Sequence, residues 1–466
     1  MLLNTAVNKK ITKKVKSKAA QKGADTTPDF SLSGDLGQGI SAHARAFVLH
    51  PYIKGQISHD IDNRLEEAAS LARAIGIEVI LAESVAMKKL RAATYIGMGK
   101  VEEFQDIVQT EEIDLVVMDC ALSPIQQRNL EKELGVKVID RTGLILEIFG
   151  ERAQTREGVL QVALAHFEYQ KSRLVRSWTH LERQRGGGAF MGGPGERQIE
   201  SDRRALRDRI SSIKKQLDKV AKTRLLHREN RSKVPFPVVA LVGYTNAGKS
   251  TLFNLLTDAE VSAKNRLFET LDPTMRSINL PSGQKIILSD TVGFISHLPH
   301  ELVAAFRATL EEVLAADLIL HVRDMHSPDR DNQKQDVFDV MDTLGLDRKE
   351  IPVLECQNKI DLLDDDEIEL LQNIAERRED ITTVSAQSGA GVEQLLCDID
   401  AILSKGDTTL ELELSFQDGE AISWLYEHGD VFERVDGENG IVIKVRLNTK
   451  NKSKFEHVFA IKSQTS

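Results

Sequence analysis

Residues 238–251, V-V-A-L-V-G-Y-T-N-A-G-K-S-T, constrain this chain more than any other stretch. A five-residue apolar run of strand character leads into Gly243, Tyr244, Thr245, Asn246, Ala247, Gly248, Lys249 and Ser250, and a helical pattern starts at Thr251. That is G-x-x-x-x-G-K-S between a strand and a helix, the context in which the pattern makes a phosphate loop. The glycines let successive backbone N–H groups turn inward on a phosphate chain. The helix that follows adds the positive end of its dipole. Lys249 is then placed to reach the β- and γ-phosphates, and the Ser250 hydroxyl to ligate Mg²⁺. A parallel α/β domain is the fold expected around it.

Three further segments follow in the order a guanine-nucleotide domain needs. A strand ending at Ser289 leads to Asp290, Thr291, Val292 and Gly293, a strand-end carboxylate near Mg²⁺ and then a glycine whose N–H can meet the γ-phosphate. Another apolar run leads to Asn358, Lys359, Ile360 and Asp361. Asp361 can accept from the N1–H and 2-amino group of guanine; adenine offers neither, so ATP would leave a carboxylate unpaired. The Lys359 stem can lie along the base. After the run 381–384, Ser385, Ala386 and Gln387 offer a backbone N–H to guanine O6. The ligands expected are GTP and GDP.

The catalytic side is less standard. Phe294 stands where Ras-like enzymes carry the glutamine that orients the attacking water. Phenylalanine cannot hydrogen-bond a water, so hydrolysis is expected to be slow unless something else is supplied. The candidate catalytic groups are Lys249, Gly293, Asn246 and a threonine of the segment between the phosphate loop and Asp290. Asn246 resembles the residue by which some GTPases hold K⁺; the competing reading is a turn-former tolerant of the left-handed region. In F-E-T-L-D-P-T, residues 268–274, Thr270 and Thr274 both remain open as the hydroxyl that completes the Mg²⁺ sphere.

Length and charge bound the rest. A chain of 466 residues suggests three or four domains. No run approaches the roughly 18 apolar residues of a membrane span. Cys120, Cys356 and Cys397 lie far apart with no disulfide or metal spacing, so a reducing, cytoplasmic location is expected. The net formal charge is −10, yet residues 152–233 hold 20 Lys and Arg against 9 Asp and Glu, leaving −21 elsewhere. Such asymmetry marks a surface that faces a polyanion.

In order, residues 1–40 read as a disordered basic arm. Residues 41–154 alternate short strands (46–49, 78–81, 114–118, 137–140) with helices (60–75, 100–110, 124–134), a parallel α/β domain. Its Gly97, Met98, Gly99 and Lys100 lack full phosphate-loop spacing and read as a turn capping a helix. Residues 155–234 form an antiparallel helical hairpin with apolar seams, Leu160, Leu164, Phe167, Leu174, Trp178 and Leu181 on one arm, Ile199, Leu206, Ile210, Ile213, Leu217 and Val220 on the other. Its tip, residues 185–196, has six glycines around Phe190 and Met191 with Arg183, Arg185 and Arg197 beside them. A tip of that kind can enter a narrow RNA-lined space and stack on bases. Residues 235–405 hold the GTP-binding domain, and 406–466 a small α+β module with an acidic lean.

The α/β domain, the R-G-G-G-A-F-M-G-G-P-G-E tip, then G-Y-T-N-A-G-K-S-T, F-E-T-L-D-P-T and D-T-V-G-F-I resemble the HflX family of translation-associated GTPases. Ser296 to Leu302 and Ala304 to Phe306 resemble it as well, and the likeness runs from about residue 45 to the end. The resemblance implies Mg²⁺ held by Ser250 and Thr270, and GTP contacts from residues 243–250, from Phe268, Glu269, Thr270, Leu271 and Asp272, and from 290–293, 358–361 and 385–387. Glu269 stands where the family more often has a small residue; Phe294 is usual for it. The resemblance also implies binding to the large ribosomal subunit, with GTP favouring a state that separates stalled subunits; the basic hairpin is expected to supply the contact with rRNA, and the chain is expected to act as a monomer. Two other readings compete: an RNA remodeller with a second, ATP-binding site in the N-terminal domain, and a G-protein scaffold whose basic hairpin meets anionic lipid at a membrane surface.

Overall fold

The computed structural model describes residues 43–55, 60–184, 194–231, 236–257, 274–295, 313–343, 345–346, 351–405, 407–437, 440–459 and 464–465. The basic arm, most of the glycine tip and residues 268–272 fall outside the described residues, as do 296–312.

The first sheet is parallel. Strand β1 (Arg45–Ile53) is followed by α1 (Ile61–Ala74), β2 (Glu78–Met87), α2 (Met98–Thr110), β3 (Leu115–Met118), α3 (Pro124–Leu134), β4 (Lys137–Asp140) and α4 (Arg141–Arg152), with strand order β2-β1-β3-β4. Local chemistry sets the helix ends. Asp60 caps α1 by accepting from the Asn63 N–H at 2.9 Å. Ser123 and Gln126 form a reciprocal capping box on α3, with Pro124 in its first turn and Gly135 left-handed at its end. Phe47 and Phe104 meet edge to face in the core, 5.2 Å between centroids. Helix α4 did not figure in the sequence reading. It is buried from Arg141 to Leu146 and again at Ile148 and Phe149, so its apolar residues follow no single face.

Helices α5 (Arg156–Gln184) and α6 (Pro194–Arg231) are 29 and 38 residues long and pack on one another. Leu160, Phe167, Leu206, Ile210 and Ile213 of the expected seams are buried, and Leu164, Leu217 and Val220 half-buried. The side chains of Leu174, Trp178, Leu181 and Ile199 lie outside the described residues. The glycine tip was expected to stay non-helical through Glu196; instead Pro194, Gly195 and Glu196 open α6, with Pro at a first-turn position where its missing N–H costs nothing. Helix α5 is also fastened to the α/β sheet. Tyr169 Oη donates to Asp140 Oδ1 at 2.6 Å, Arg173 donates to Asp140 Oδ2 at 2.6 Å and to Gln127, and Arg173 lies over the Tyr169 ring.

The second sheet contains β5 (Val238–Val242), then, after α7 (Lys249–Thr257), β6 (Thr274–Asn279), β7 (Lys285–Asp290), β8 (Leu318–Asp324), and, after α8 (Arg330–Thr343), β9 (Val353–Asn358). Helix α9 (Asp365–Ala375), β10 (Ile381–Thr383) and α10 (Val392–Leu403) complete it. The order is β10-β9-β8-β5-β7-β6, parallel except for β6, which runs antiparallel to β7. Strand β5 thus lies inside the sheet, its Val239, Ala240, Leu241 and Val242 fully buried. The third sheet is antiparallel, β12-β13-β11-β14, from β11 (Asp407–Leu414), β12 (Asp430–Asp436), β13 (Ile441–Asn448) and β14 (Gln464–Thr465). Helices α11 (Gly419–His428) and α12 (Thr449–Phe459) cover it, with Trp424 stacked on His428 and packed on Phe455.

The parallel α/β sheet carries a buried charge cluster at the carboxyl ends of β1 and β3. Asp119 accepts from Arg141 at 2.5 Å and pairs with His50 Nδ1 at 2.7 Å, with Arg64 at 3.7 Å. Burial alone would raise the Asp119 carboxyl; Arg141, the His50 hydrogen bond and Arg64 outweigh it and hold it well below the usual range. Asp119→Ala removes the carboxylate that Arg141 and Arg64 share in this buried cluster and should lower the unfolding free energy by about 3–5 kcal/mol. The first urea transition followed by circular dichroism checks this; a midpoint unchanged from wild type contradicts it.

Candidate functional site

The phosphate loop leaves β5 and turns into α7 with its lysine already inside. Lys249 is buried, and its Nζ donates to the carbonyls of Gly243 at 3.1 Å and Tyr244 at 2.7 Å. Burial draws the ammonium down to about 8, with Asp290 pulling the other way. Two glycines are sterically required. A Cβ on Gly243 would lie 2.2 Å from the Val322 carbonyl oxygen, and one on Gly248, at φ +92°, would lie 2.2 Å from Asn358 Nδ2. Asn246 has φ +60°, so it does serve as a residue tolerant of the left-handed region.

Ser250 Oγ donates to Asp290 Oδ2 at 2.9 Å. A hydroxyl and a carboxylate oxygen side by side at the head of a helix are hard donors of the kind Mg²⁺ takes in small numbers, leaving the rest of its sphere to phosphate and water. Among the described residues no group of three His, Cys, Asp or Glu could hold a metal. Thr270 lies outside the described residues. Thr274, the other candidate hydroxyl, is the first residue of β6 and sits opposite Asp290 in the ladder. Thr291 donates to the Leu241 carbonyl at 2.5 Å, which fixes the exit from β7.

The segments expected to read the base converge on the same edge. Asn358 Nδ2 donates to the Ala247 carbonyl at 2.8 Å, and its Oδ1 accepts from the Ala386 N–H at 2.9 Å. One buried amide therefore joins the phosphate loop to the loop after β10. Ser385 Oγ donates to Asp361 Oδ1 at 2.6 Å, fixing a carboxylate that is otherwise exposed at the edge, as a base-pairing carboxylate must be. Lys359, at φ +65°, pairs with Asp324 at 2.7 Å; Asp324 ends β8 and was not singled out from the sequence. Ile360 is buried beneath the loop and Gln387 exposed beside it. A cavity of about 730 Å³ opens here, lined by Tyr244, Thr245, Asn246 and Lys359 and, across from them, Asn63 and Glu67 of α1.

Gly293 lies against the loop: a Cβ there would be 2.9 Å from Thr245 Cγ2 and 3.0 Å from Lys249 Nζ. Val292 and Phe294 are buried. The turn at Gly97, by contrast, caps α2 without a side-chain bond, and Lys100 pairs with Glu83 and Glu103. That is a helix start with its lysine already partnered, not a second phosphate loop.

Removing the amide in Asn358→Ala leaves the Ala247 carbonyl and Ala386 N–H without their partner, at about 1–3 kcal/mol each. GDP affinity should fall by about 30-fold or more in fluorescence titrations, and an affinity within twofold of wild type contradicts the bridging role. The position of Lys249 adds a pH dependence. Below about pH 8 the lysine is cationic before ligand arrives and affinity is flat. Above it, binding must first recapture a proton, so GDP affinity should fall by up to about tenfold per pH unit. Calorimetry in two buffers of different ionisation enthalpy should then show proton uptake; flat affinity from pH 7 to 9 without uptake contradicts it.

Four family models match the chain in succession: GTP-binding GTPase N-terminal at residues 62–150, GTP-binding GTPase Middle Region at 152–231, 50S ribosome-binding GTPase at 238–359 and HflX C-terminal domain at 370–464. A GTPase HflX of Magnetococcus marinus is 50% identical over 86% of this chain and 92% of its own length. The Escherichia coli K12 GTPase HflX is 44% identical over 87% and 94%. That of Caldanaerobacter subterraneus is 43% identical over 86% and 91%.

Proposed function

Because the chain belongs to the HflX family of GTPases, we propose that it hydrolyses GTP to GDP and phosphate, binds the large ribosomal subunit, and in its GTP form promotes dissociation of stalled or idle ribosomes. One observation carries the nucleotide half of this reading. The Asn358 amide ties the phosphate loop to the guanine loop at one sheet edge, with Lys249, Ser250 and Asp290 on one side and Asp361 on the other. An adenine there would face the Asp361 carboxylate with no donor for it.

The residues assigned are the backbone of residues 243–250 for the phosphates, Asp290 to Gly293 for the γ-phosphate side, and 358–361 with 385–387 for the base. Ser250 and Thr270 would hold Mg²⁺, and Phe268 to Asp272 would close over the nucleotide. Bound there, Mg²⁺ neutralises charge on the phosphates. Asn246, already left-handed at the loop, is the residue assigned to K⁺. The division into units at 41–154, 155–234, 235–405 and 406–466 gives each step its own part. The hairpin's local excess of Lys and Arg supplies phosphate affinity for rRNA. Its tip probes a functional centre, and the nucleotide decides whether it stays.

Sucrose-gradient profiles of intact ribosomes test the proposal. With a non-hydrolysable GTP analogue the chain should convert 70S particles to subunits and co-migrate with the large one; with GDP, or with Lys249→Ala, it should not. Deletion of residues 186–195 should leave guanine-nucleotide affinity within about twofold of wild type and abolish splitting. Splitting that is intact without the tip, or equal in every nucleotide state, overturns the reading.

A further inference from the structure

The second residue of the phosphate loop is gripped from two sides. The Tyr244 phenol donates to Glu67 Oε2 on α1 at 2.8 Å. The other Glu67 oxygen accepts from Arg141, which is buried and holds Asp119 as well. A line of hydrogen bonds thus runs from the carboxyl ends of β1 and β3, through Arg141 and Glu67, to the phosphate loop, where the carbonyl of the same Tyr244 meets Lys249 Nζ. Asp60 adds a second tie, its N–H donating to Asp329 Oδ1 at 3.1 Å.

On the opposite flank, the segment after Asp290 is paired to the loop. The Phe294 N–H donates to the Gly243 carbonyl at 3.1 Å and the Thr245 N–H to the Phe294 carbonyl at 2.7 Å, a parallel bridge between Tyr244 and Phe294. The pairing brings Gly293 onto Lys249, where a Cβ would be 3.0 Å from Nζ. The Gly293 Cα is then no more than one bond, about 1.5 Å, further away. A γ-phosphate seated between Lys249 and Gly293 would press on this segment, and withdrawal of the segment breaks the two hydrogen bonds that flank Tyr244.

We propose that Tyr244 is a positioning residue for discrimination between GTP and GDP: its hydrogen bond to Glu67 holds the loop in the form that pairs with Phe294, and releasing that bond favours the triphosphate. This rests on the guanine-nucleotide reading above and extends it to how the α/β domain reaches the site. Coupling is reciprocal, so whatever displaces α1 from the loop shifts the GTP-to-GDP preference by the factor with which GTP displaces α1.

The test uses the full chain, with Tyr244→Phe, which keeps the ring, and Glu67→Gln, which keeps an acceptor for Arg141. Affinities for GDP and for a non-hydrolysable GTP analogue are measured alongside hydrogen exchange of residues 61–74. Tyr244→Phe should raise the ratio of triphosphate to diphosphate affinity by about ten- to a hundredfold, the size of one hydrogen bond to a charged acceptor. Glu67→Gln should shift the ratio in the same direction, and the double variant should show less than the sum of the two. In the wild type, residues 61–74 should exchange faster with the GTP analogue than with GDP, and Tyr244→Phe should erase the difference. A ratio that is unchanged or falls, additive effects, or identical exchange in both nucleotides in the wild type overturns the proposal. A wild-type chain that binds neither nucleotide overturns the guanine-nucleotide reading itself.

Discussion

Burying the ammonium of Lys249 at the head of α7 is the constraint from which the site's architecture follows. A charged group taken out of water costs several kcal/mol unless it is matched by hydrogen bonds and opposite charge. Here the match comes from two loop carbonyls and from Asp290, which counters the downward pull of burial. Turning the carbonyls of Gly243 and Tyr244 inward forces the backbone past Val322 on β8 and Asn358 on β9, at separations that leave no space for a Cβ. The glycine pattern therefore answers to the lysine and to the neighbouring strands. The inward-facing N–H groups that suit a phosphate chain are the other half of the same turn.

A second buried charge system does a different job in the first sheet. With strand order β2-β1-β3-β4, the chain leaves β1 to one side for β2 and returns to the other for β3, and that reversal opens a crevice at the carboxyl edge. Crevices of this kind are where open α/β sheets hold ligands. Here Arg64 and Arg141 occupy it, neutralised by Asp119 and Glu67. The place where a ligand would sit is used as a joint, and the chain of charges ends on the nucleotide loop through Tyr244. Arginine suits the role because its planar fork engages two carboxylates at once, as Arg141 does.

What the sequence disclosed and what it withheld divide along that line. The phosphate loop, the N-K-x-D segment and the ends of α3 and β4 were legible because each rests on local signals: a motif, Ser123 and Pro124 at a helix start, Gly135 at its end. Helix α4 was missed because burial of successive residues from Arg141 to Leu146 erases the periodicity that betrays a helix. Strand β8 was passed over although Leu318 to Val322 is an apolar run, since His321 and Arg323 break it. Both are accommodated in the fold, Arg323 by Glu355 and Asp331, while burial holds the His321 imidazole down at about 3, so that it sits neutral. Tyr244 looked interchangeable because the motif allows any residue there. Its meaning depends on Glu67, 177 positions away, and no local pattern reports a contact of that range.

Phe294 shows how one residue can answer to two demands. Its backbone completes a bridge to the phosphate loop, and its ring is only 3% exposed. A glutamine in that setting would bury an amide at a cost of about 1–3 kcal/mol for polar groups left unmatched, which would weaken the closed arrangement. A phenylalanine seats there at no such cost, but contributes nothing to orienting a water. Firm closure of this segment on the loop and the want of a catalytic side chain at position 294 are therefore one property seen from two sides. In the arrangement proposed for Tyr244, nucleotide chemistry is subordinate to whatever opens the segment, and the joint between Tyr244 and the α/β domain is where an outside event reaches it.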